Sequence, residues 1–461
     1  MNLIWPDKEL AEQSFHQVVE TAPPELHLWE GEGNFGTLIQ GDNMAACAAL
    51  LNDYTEQIDL IYIDPPFAAG LDFRARVHID NQKVLLPAYR DRWNGGLHGY
   101  LSMLYPRLKL FHRLLSKHGS IVVHCDWRVS HLIRLLLDEV FGSENFQNDI
   151  CWAYGQTARG AKAIAKQFAR NHDNLLWYTK GGKATFNGDS FYRYYTTAEA
   201  KKKGFRQDDQ GRWFKTSPRG DYTDASIAKL EKKGRIYRTR TNKIRIKYFL
   251  ETHRGSVAER LPIGDVWTDI PDAMHFSVAE QTGYATQKPQ ALLQRIITAC
   301  SSQNDLIADF FCGSGTTLIA AEQLNRKWIG CDLGALAIQT TKMRLYQARA
   351  AFGLYGLRNK NSDLKALVKA TFGMTEQGVQ VFLHLPQKWL ESQISPPKCI
   401  RFWSVGTLRN QSFIPLWQSS SHRQTVALKS EPVAIDPADI CIQIVDIWGR
   451  EQQDMLCDFA V

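Results

Sequence analysis

The chain has 461 residues, 44% hydrophobic and 22% charged, which suits a soluble globular protein of two or three domains. No stretch approaches the ~18 continuous apolar residues of a membrane helix, and the acids and prolines near the N-terminus are unlike a secretion signal. The net charge is +7, and the nine cysteines (47, 125, 151, 300, 312, 331, 399, 441 and 457) include no CxxC pair, which argues against zinc fingers and a disulfide framework and points to the reducing cytoplasm.

In chain order, residues 1–36 read as irregular, GTLIQGDN as a short strand with a polar exit, and AACAALLNDY as a helix. The apolar run of DLIYIDPPFAAG, residues 59–70, reads as a buried strand that stops at Asp64, two prolines and Phe67. Paired prolines end ladder pairing, and a carboxylate at the end of a buried strand calls for a partner. Ala68 to Gly99 is polar and rich in Gly and Arg, and reads as a mobile loop. SMLYPRLKLFHRLLSKHGS has helical spacing closing at Gly119, SIVVHCDW reads as a strand, and Arg128 to Phe141 as an amphipathic helix ending at Gly142. NDICWAY and DNLLWYTK follow as strands.

Between Lys180 and Arg260 there are 21 Lys and Arg against 9 Asp and Glu, a net of +12; the remainder holds 34 against 39, a net of −5. One segment thus carries the whole positive excess. Its basic residues interleave with aromatics, as in GRWFK and GRIYRTRTNKIRIKYF, which fits contact with a polyanion better than simple solvation. The candidate polyanion contacts are Arg193, Lys201, Lys202, Lys203, Arg206, Arg212, Lys215, Arg235, Arg238, Arg240, Lys243, Arg245 and Lys247.

Regular structure returns with QKPQALLQRIITACSSQ, a helix with proline near its first turn. DLIADFF reads as a strand, GSGTT as a turn, LIAAEQLNR as a helix and KWIGCDL as another strand. Strand–helix alternation on both sides of the basic segment implies one parallel α/β sheet with an insert. Beyond about residue 357, short alternating runs suggest a β-rich domain. The expected domains are therefore 1–180, the insert 181–265, 266–356 and the tail 357–461.

Gly313-Ser314-Gly315 lets backbone approach a ligand, Thr316 or Thr317 is placed to cap the helix that follows, and Asp332 lies 19 residues past Gly313. An acid at about that distance accepts ribose hydroxyls in nucleotide-binding units. Leu318 stands where a dinucleotide fingerprint wants glycine, and no phosphate loop occurs. The turn suits a nucleoside ligand without pyrophosphate, and S-adenosylmethionine (SAM) is the obvious one.

An exocyclic base amine is a poor nucleophile because its lone pair is delocalised. Two acceptors on its N–H bonds, the Asp64 carboxylate and the Pro65 carbonyl, would draw the nitrogen toward tetrahedral geometry. Pro66 holds residue 65 extended, and Phe67 offers a stacking face worth roughly 1–3 kcal/mol per base. Methyl transfer from SAM then needs in-line positioning alone, once the base is flipped from its duplex.

With DPPF at 64–67, GSIVVHCDW, LLLDEVFGSENF, HDNLLWYTK, GDVWTDI, TQKPQALLQRII and FFCGSGTT in that order, the chain resembles beta-class site-specific DNA amino-methyltransferases, including modification subunits of type III restriction systems. The likeness runs from about residue 37 to 345. It implies an α/β, Rossmann-like SAM-dependent methyltransferase fold with a seven-stranded, mostly parallel sheet. It assigns Asp64, Pro65, Pro66 and Phe67 to the target base. It assigns Asp309, Phe311, Gly313, Gly315, Thr316 and Asp332 to SAM, with Lys288, Pro289 and Asp42 nearby. Aspartate at 64 resembles the adenine-N6 branch, whereas cytosine-N4 enzymes more often carry serine. Phe67 replaces the commoner tyrosine, and Phe310 stands where the family has proline. Implied partners are double-stranded DNA, a separate restriction subunit and a second copy of the chain, in the cytoplasm at a bacterial nucleoid.

Other readings are weaker. His124, Cys125 and Asp126 are consecutive and cannot easily converge on a metal, so no metal is expected. Cytosine-C5 methylation needs a nucleophilic cysteine, in relatives preceded by proline, and no Pro-Cys dipeptide occurs in this chain. Protein-glutamine or RNA methylation would more commonly place the SAM motif first. A DNA-binding subunit with a decayed SAM pocket sits poorly with intact Asp64 and GSG.

Overall fold

The computed structural model describes residues 3–31, 36–79, 82–155, 166–188, 191–253, 255–272, 277, 280–357, 369–375, 377–384, 400–409, 412–420, 429–434, 440–446 and 451–455. It divides into two compact units, residues 1–186 with 265–461 and residues 187–264.

The first unit is organised on a ten-stranded sheet. From edge to edge it runs His27–Gly31, Phe352–Gly356, Gly36–Gln40, Lys327–Asp332, Leu306–Asp309, Ile58–Ile63, Leu115–Cys125, Asp173–Thr179, Phe146–Trp152 and Val266–Trp267. The six strands from Phe352–Gly356 to Leu115–Cys125 are parallel, and Asp173–Thr179 is antiparallel to its neighbour. The expected seven-stranded, mostly parallel sheet is this inner run, and the other three strands extend its edges.

The order of connection matters for function. The Ile58–Ile63 strand leads through the helix Leu97–Leu114 to its neighbour Leu115–Cys125 on one side. The Leu306–Asp309 strand leads through the helix Thr316–Gln323 to Lys327–Asp332 on the other. Two adjacent parallel strands, in register at Leu60↔Ile307 and Ile61↔Ala308, therefore diverge at their carboxyl ends. That divergence opens a crevice where open α/β sheets bind ligands.

The core explains why these elements form. In the helix Leu97–Leu114, Tyr100, Leu101, Leu104, Leu108, Phe111 and Leu114 are buried at helical spacing. The sheet strands bury continuous runs such as Leu60–Ile63, as strands covered on both faces do. The helix Asn43–Tyr54 begins at Asp42, whose carboxylate caps the amides of Met44 and Ala45.

Three expectations need correction. Residues 1–36 are not irregular throughout, since Lys8–Glu20 is a helix that buries Ala11 and Phe15 in the core. The helix expected to close at Gly119 ends at Leu114, and Leu115 already pairs with Ile58. The segment read as a mobile loop contains a hairpin, Leu71–Ile79 with Gln82–Asp91. Tertiary contacts stabilise that hairpin: Ala75 and Leu86 pack on Leu336, and the Arg76 amide donates to the Gly283 carbonyl at 2.7 Å.

The tail forms a hairpin, Lys369–Thr375 with Gly378–His384, and a four-stranded antiparallel sheet ordered Ser412–Ser420, Ile400–Arg409, Cys441–Asp446 and Glu451–Met455. Among the described residues no helix is long and apolar enough to cross a membrane.

The second unit has its own small core of Tyr195, Ala200, Trp213 and Val257. A four-stranded antiparallel sheet runs Arg206–Gln207, Trp213–Pro218, Ile244–Phe249 and Ile236–Arg238. Its register pairs Arg206 with Phe214, Thr216 with Lys247, Pro218 with Arg245, and Tyr237 with Arg245. Directly opposed residues share a face, so Arg206, Tyr237, Arg245 and Lys247 stand together.

Candidate active site

The corner after Ile63 is held from several directions. Pro65 is buried, and Ala68 takes a left-handed φ of +53°. The Ala69 amide donates to Asp91 Oδ2 at 2.7 Å, the Gly70 amide to the Asp91 carbonyl at 3.0 Å, and Trp93 Nε1 to Asp91 Oδ1 at 2.9 Å. A fully buried carboxylate on the hairpin thus anchors the DPPFAAG turn.

Asp64 uses its two oxygens differently. Oδ2 accepts a hydrogen bond from Lys288 Nζ at 2.5 Å, while Oδ1 is buried with no hydrogen-bond partner among the described residues. The Lys288 ammonium also lies 5.2 Å from the centroid of Phe67. Phe67 is stacked on His124, with centroids 5.8 Å apart and planes 29° apart.

His124 is fully buried and has a partner at each ring nitrogen: Tyr62 Oη 2.9 Å from Nδ1 and Asp173 Oδ2 3.1 Å from Nε2. With a neutral ring, Tyr62 donates to Nδ1 and Nε2–H donates to Asp173. Burial is the strongest single influence on the Asp173 carboxyl and acts to raise it, but the hydrogen bonds from His124 and Tyr154 and the positive charge nearby, Lys288 included, together outweigh it and hold the group below its usual range. His124 therefore fixes the plane of Phe67.

The glycine turn is held by two carboxylates. Asp309 accepts from the Phe311 amide at 3.0 Å and from Thr317 Oγ1 at 2.5 Å. Asp332 accepts from the Gly313 amide at 2.9 Å and the Gly334 amide at 2.8 Å. Neither threonine caps the helix. Its N-cap is Gly315 at φ +75°, where a Cβ would stand 2.6 Å from Thr341 Cγ2; Thr317 serves Asp309, and Thr316 Oγ1 accepts from Arg344 at 2.9 Å. Phe310 turns into the core and stacks on Phe111 at 4.9 Å, which explains an aromatic side chain beside this turn.

Burial raises the Asp309 carboxyl from 3.8 to about 7. Between those values the folded protein holds a proton that the unfolded chain has released, so this contribution is present below pH ~4 and is lost as pH rises through ~7. Thermal melts across that range should show Asp309→Asn losing less stability with rising pH than the wild type.

Asp42, besides capping its helix, accepts from Arg107 Nη2 at 2.8 Å, and Arg107 Nε donates to Asn43 Oδ1 at 2.5 Å. Asn43 in turn donates to the Phe310 carbonyl at 2.8 Å, tying this helix start to the glycine turn.

These groups line one cavity of about 480 Å³, a volume that suits a nucleoside-sized ligand. Of the residues singled out in the sequence, it brings together Asp42, Asp64, Pro66, Lys288, Asp309, Phe311, Gly313, Thr316 and Asp332. Pro65, Phe67, Pro289 and Gly315 are not among the residues that line it. Tyr62, Tyr89, Trp93, Arg107 and Tyr284 also line it and were not singled out. Sequence offered little signal for them, since the hairpin bearing Tyr89 reads as loop and Arg107 as one charge on a helix. Four carboxylates in a largely apolar cavity suit a ligand that carries a positive charge and hydroxyl donors.

The basic candidates lie in the second unit. Arg212 pairs with Asp208 at 2.8 Å, Lys215 with Glu259 at 2.7 Å and Arg238 with Glu231 at 2.9 Å. Arg206, Arg235 and Arg245 make hydrogen bonds inside the unit. Arg193, Lys201, Lys202, Lys203, Arg240, Lys243 and Lys247 form no salt bridge among the described residues.

Comparison with known proteins gives a consistent picture. Residues 58–343 match the family model described as DNA methylase, of the N6/N4 type. The chain is 31% identical over 358 residues to type II methyltransferase M.EcaI of Enterobacter cloacae, covering 73% of this chain and 75% of that one. It is 26% identical over 310 residues to DNA adenine methyltransferase YhdJ of Escherichia coli, covering 67% and 82%. It is 25% identical over 354 residues to the StyLTI Mod subunit of a type III restriction-modification enzyme of Salmonella typhimurium, covering 65% of this chain and 52% of the subunit. The chain thus spans about half the length of that subunit.

Proposed function

The chain belongs to the DNA methylase family, and on that premise we propose that it methylates the exocyclic N6 of an adenine flipped out of duplex DNA, with SAM as the methyl donor. The observation that carries this reading is the shared cavity: Asp64, with Oδ1 unpartnered, and the turn at Asp309, Gly313 and Asp332 open into one space. The adenine assignment draws support from aspartate at position 64 and from the relative whose name specifies adenine.

The donor set fits SAM. Asp332 and Asp42 offer acceptors for hydroxyl and amine donors, Gly313 leaves space where a side chain would intrude, and the carboxylates favour a cation. When bound, SAM supplies an electrophilic methyl group. The chain's own residues do the rest. The Asp64 carboxylate accepts one N–H of the target amine and the Pro65 carbonyl is the second acceptor, which together restore nucleophilic character to the nitrogen. Phe67, fixed by His124, sets the plane of the base. The surrounding apolar walls exclude water and strengthen each of these contacts.

The second unit supplies phosphate contacts through its basic face and reads sequence, in keeping with its net charge of +10 over residues 187–264, 19 Lys and Arg against 9 Asp and Glu. A DNA substrate places the enzyme at the nucleoid of a bacterial cytoplasm. A restriction subunit fits this reading, in keeping with the likeness to a Mod subunit of a restriction-modification enzyme, and we propose a second copy of the chain as a further partner.

Sequencing modified bases in DNA from cells expressing the chain tests the proposal. N6-methyladenine is expected at one short motif and absent from an empty-vector control. N4-methylcytosine at such a motif would overturn the base assignment, and no modified base would overturn the reading.

A further inference from the structure

Lys288 reaches Asp64 from a segment with a fixed backbone. Thr286 adopts a left-handed φ of +58°. The buried Gln287 accepts from the Thr282 amide at 2.9 Å and from its hydroxyl at 2.7 Å, and donates to the Glu280 carbonyl at 2.7 Å. Pro289 then starts the next helix. What remains free to move is the four-carbon stem of Lys288, and rotamer changes are fast.

The ammonium on that stem is 2.5 Å from Asp64 Oδ2 and 5.2 Å from the Phe67 centroid, with side-chain exposures of 12% for Lys288 and 18% for Asp64. A base that stacks on Phe67 and donates its amine to Asp64 must bring that amine between the same two groups. An ammonium and a base amine are both compact N–H donors, so one place serves either. The carboxylate also needs a partner while the base is absent. Asp309 and Asp332 line the same cavity, and an uncompensated buried charge is costly.

Building on the proposed role of Asp64, we infer that Lys288 is a resident stand-in for the target amine. Its ammonium satisfies Asp64 and closes the base site, and the incoming base displaces it. The opposite arrangement, in which Lys288 stays on Asp64 and steadies it for the base, predicts the reverse behaviour on substitution.

The test uses the whole protein and a duplex carrying the methylated motif, with the target adenine and its 6-amine intact and fluorescent 2-aminopurine next to it, whose emission rises when that adenine leaves the stack. In the wild type the competent fraction is reduced by the Lys288 contact. Lys288→Met should therefore capture the base at roughly tenfold lower protein concentration. Lys288→Arg, whose planar fork grips a carboxylate through two N–H bonds, should require more protein than wild type. Melting temperatures close to wild type establish that both variants fold, and Lys288→Gln replaces the Met variant if that one does not. Weaker capture by both the Met and Arg variants overturns the inference and leaves Lys288 as a fixed support. A wild type that methylates DNA while Lys288→Met captures no better sinks this inference alone; a wild type that methylates no DNA sinks the functional reading first.

Discussion

Asp64→Ala should lower kcat for methyl transfer by at least about 10³-fold while changing cofactor affinity little. Removing a single positioned hydrogen-bonding group at a reacting centre typically costs roughly 3–4 kcal/mol of transition-state stabilisation. Here the loss is compounded, because alanine removes the accepting carboxylate and also leaves the Lys288 ammonium without its partner. Asp64→Asn keeps one acceptor oxygen but not the charge and should retain intermediate activity. Steady-state kinetics on duplex DNA, with calorimetry of cofactor binding, separates the two effects. Undiminished turnover by Asp64→Ala would remove the basis of the mechanism.

Asp332→Ala should have the second largest effect, on cofactor binding. The carboxylate accepts from the Gly313 and Gly334 amides, so it shapes the turn as well as offering oxygens to a ribose. Hydrogen bonds to a charged group contribute about 1.5–3 kcal/mol each, and both are lost together. The expected outcome is at least a 100-fold rise in cofactor Kd, or roughly 2.8 kcal/mol, together with a lower Tm. Asp332→Asn keeps a single acceptor and should fall between. If Asp332→Ala bound cofactor as tightly as wild type, the acid would serve the turn alone.

The largest gap between sequence and structure is the hairpin Leu71–Asp91. Its strands carry arginine and glycine-flanked turns, and Arg76, Leu85 and Tyr89 give no clean alternation. It forms because Ala75 and Leu86 find Leu336 and because Arg76 finds Gly283, partners more than 200 residues away along the chain. The capping role expected of Thr316 or Thr317 failed for a related reason. A left-handed Gly315 already starts the helix, and the buried Asp309 competes for the Thr317 hydroxyl.

What the sequence determined by itself was local: an apolar strand ending in an acid and two prolines, a glycine turn followed at a set distance by an acid, and a basic, aromatic insert. Each rests on backbone sterics, strand periodicity or charge, which act over a few residues. Only the tertiary structure decided which of these groups share a cavity. The parallel pairing of Ile58–Ile63 with Leu306–Asp309, and the divergence of their connections, set Asp64 beside Asp309 and brought Lys288 within 2.5 Å of a carboxylate 224 residues earlier. Contacts at that separation follow from burying the whole sheet at once, and no short stretch of chain contains the information.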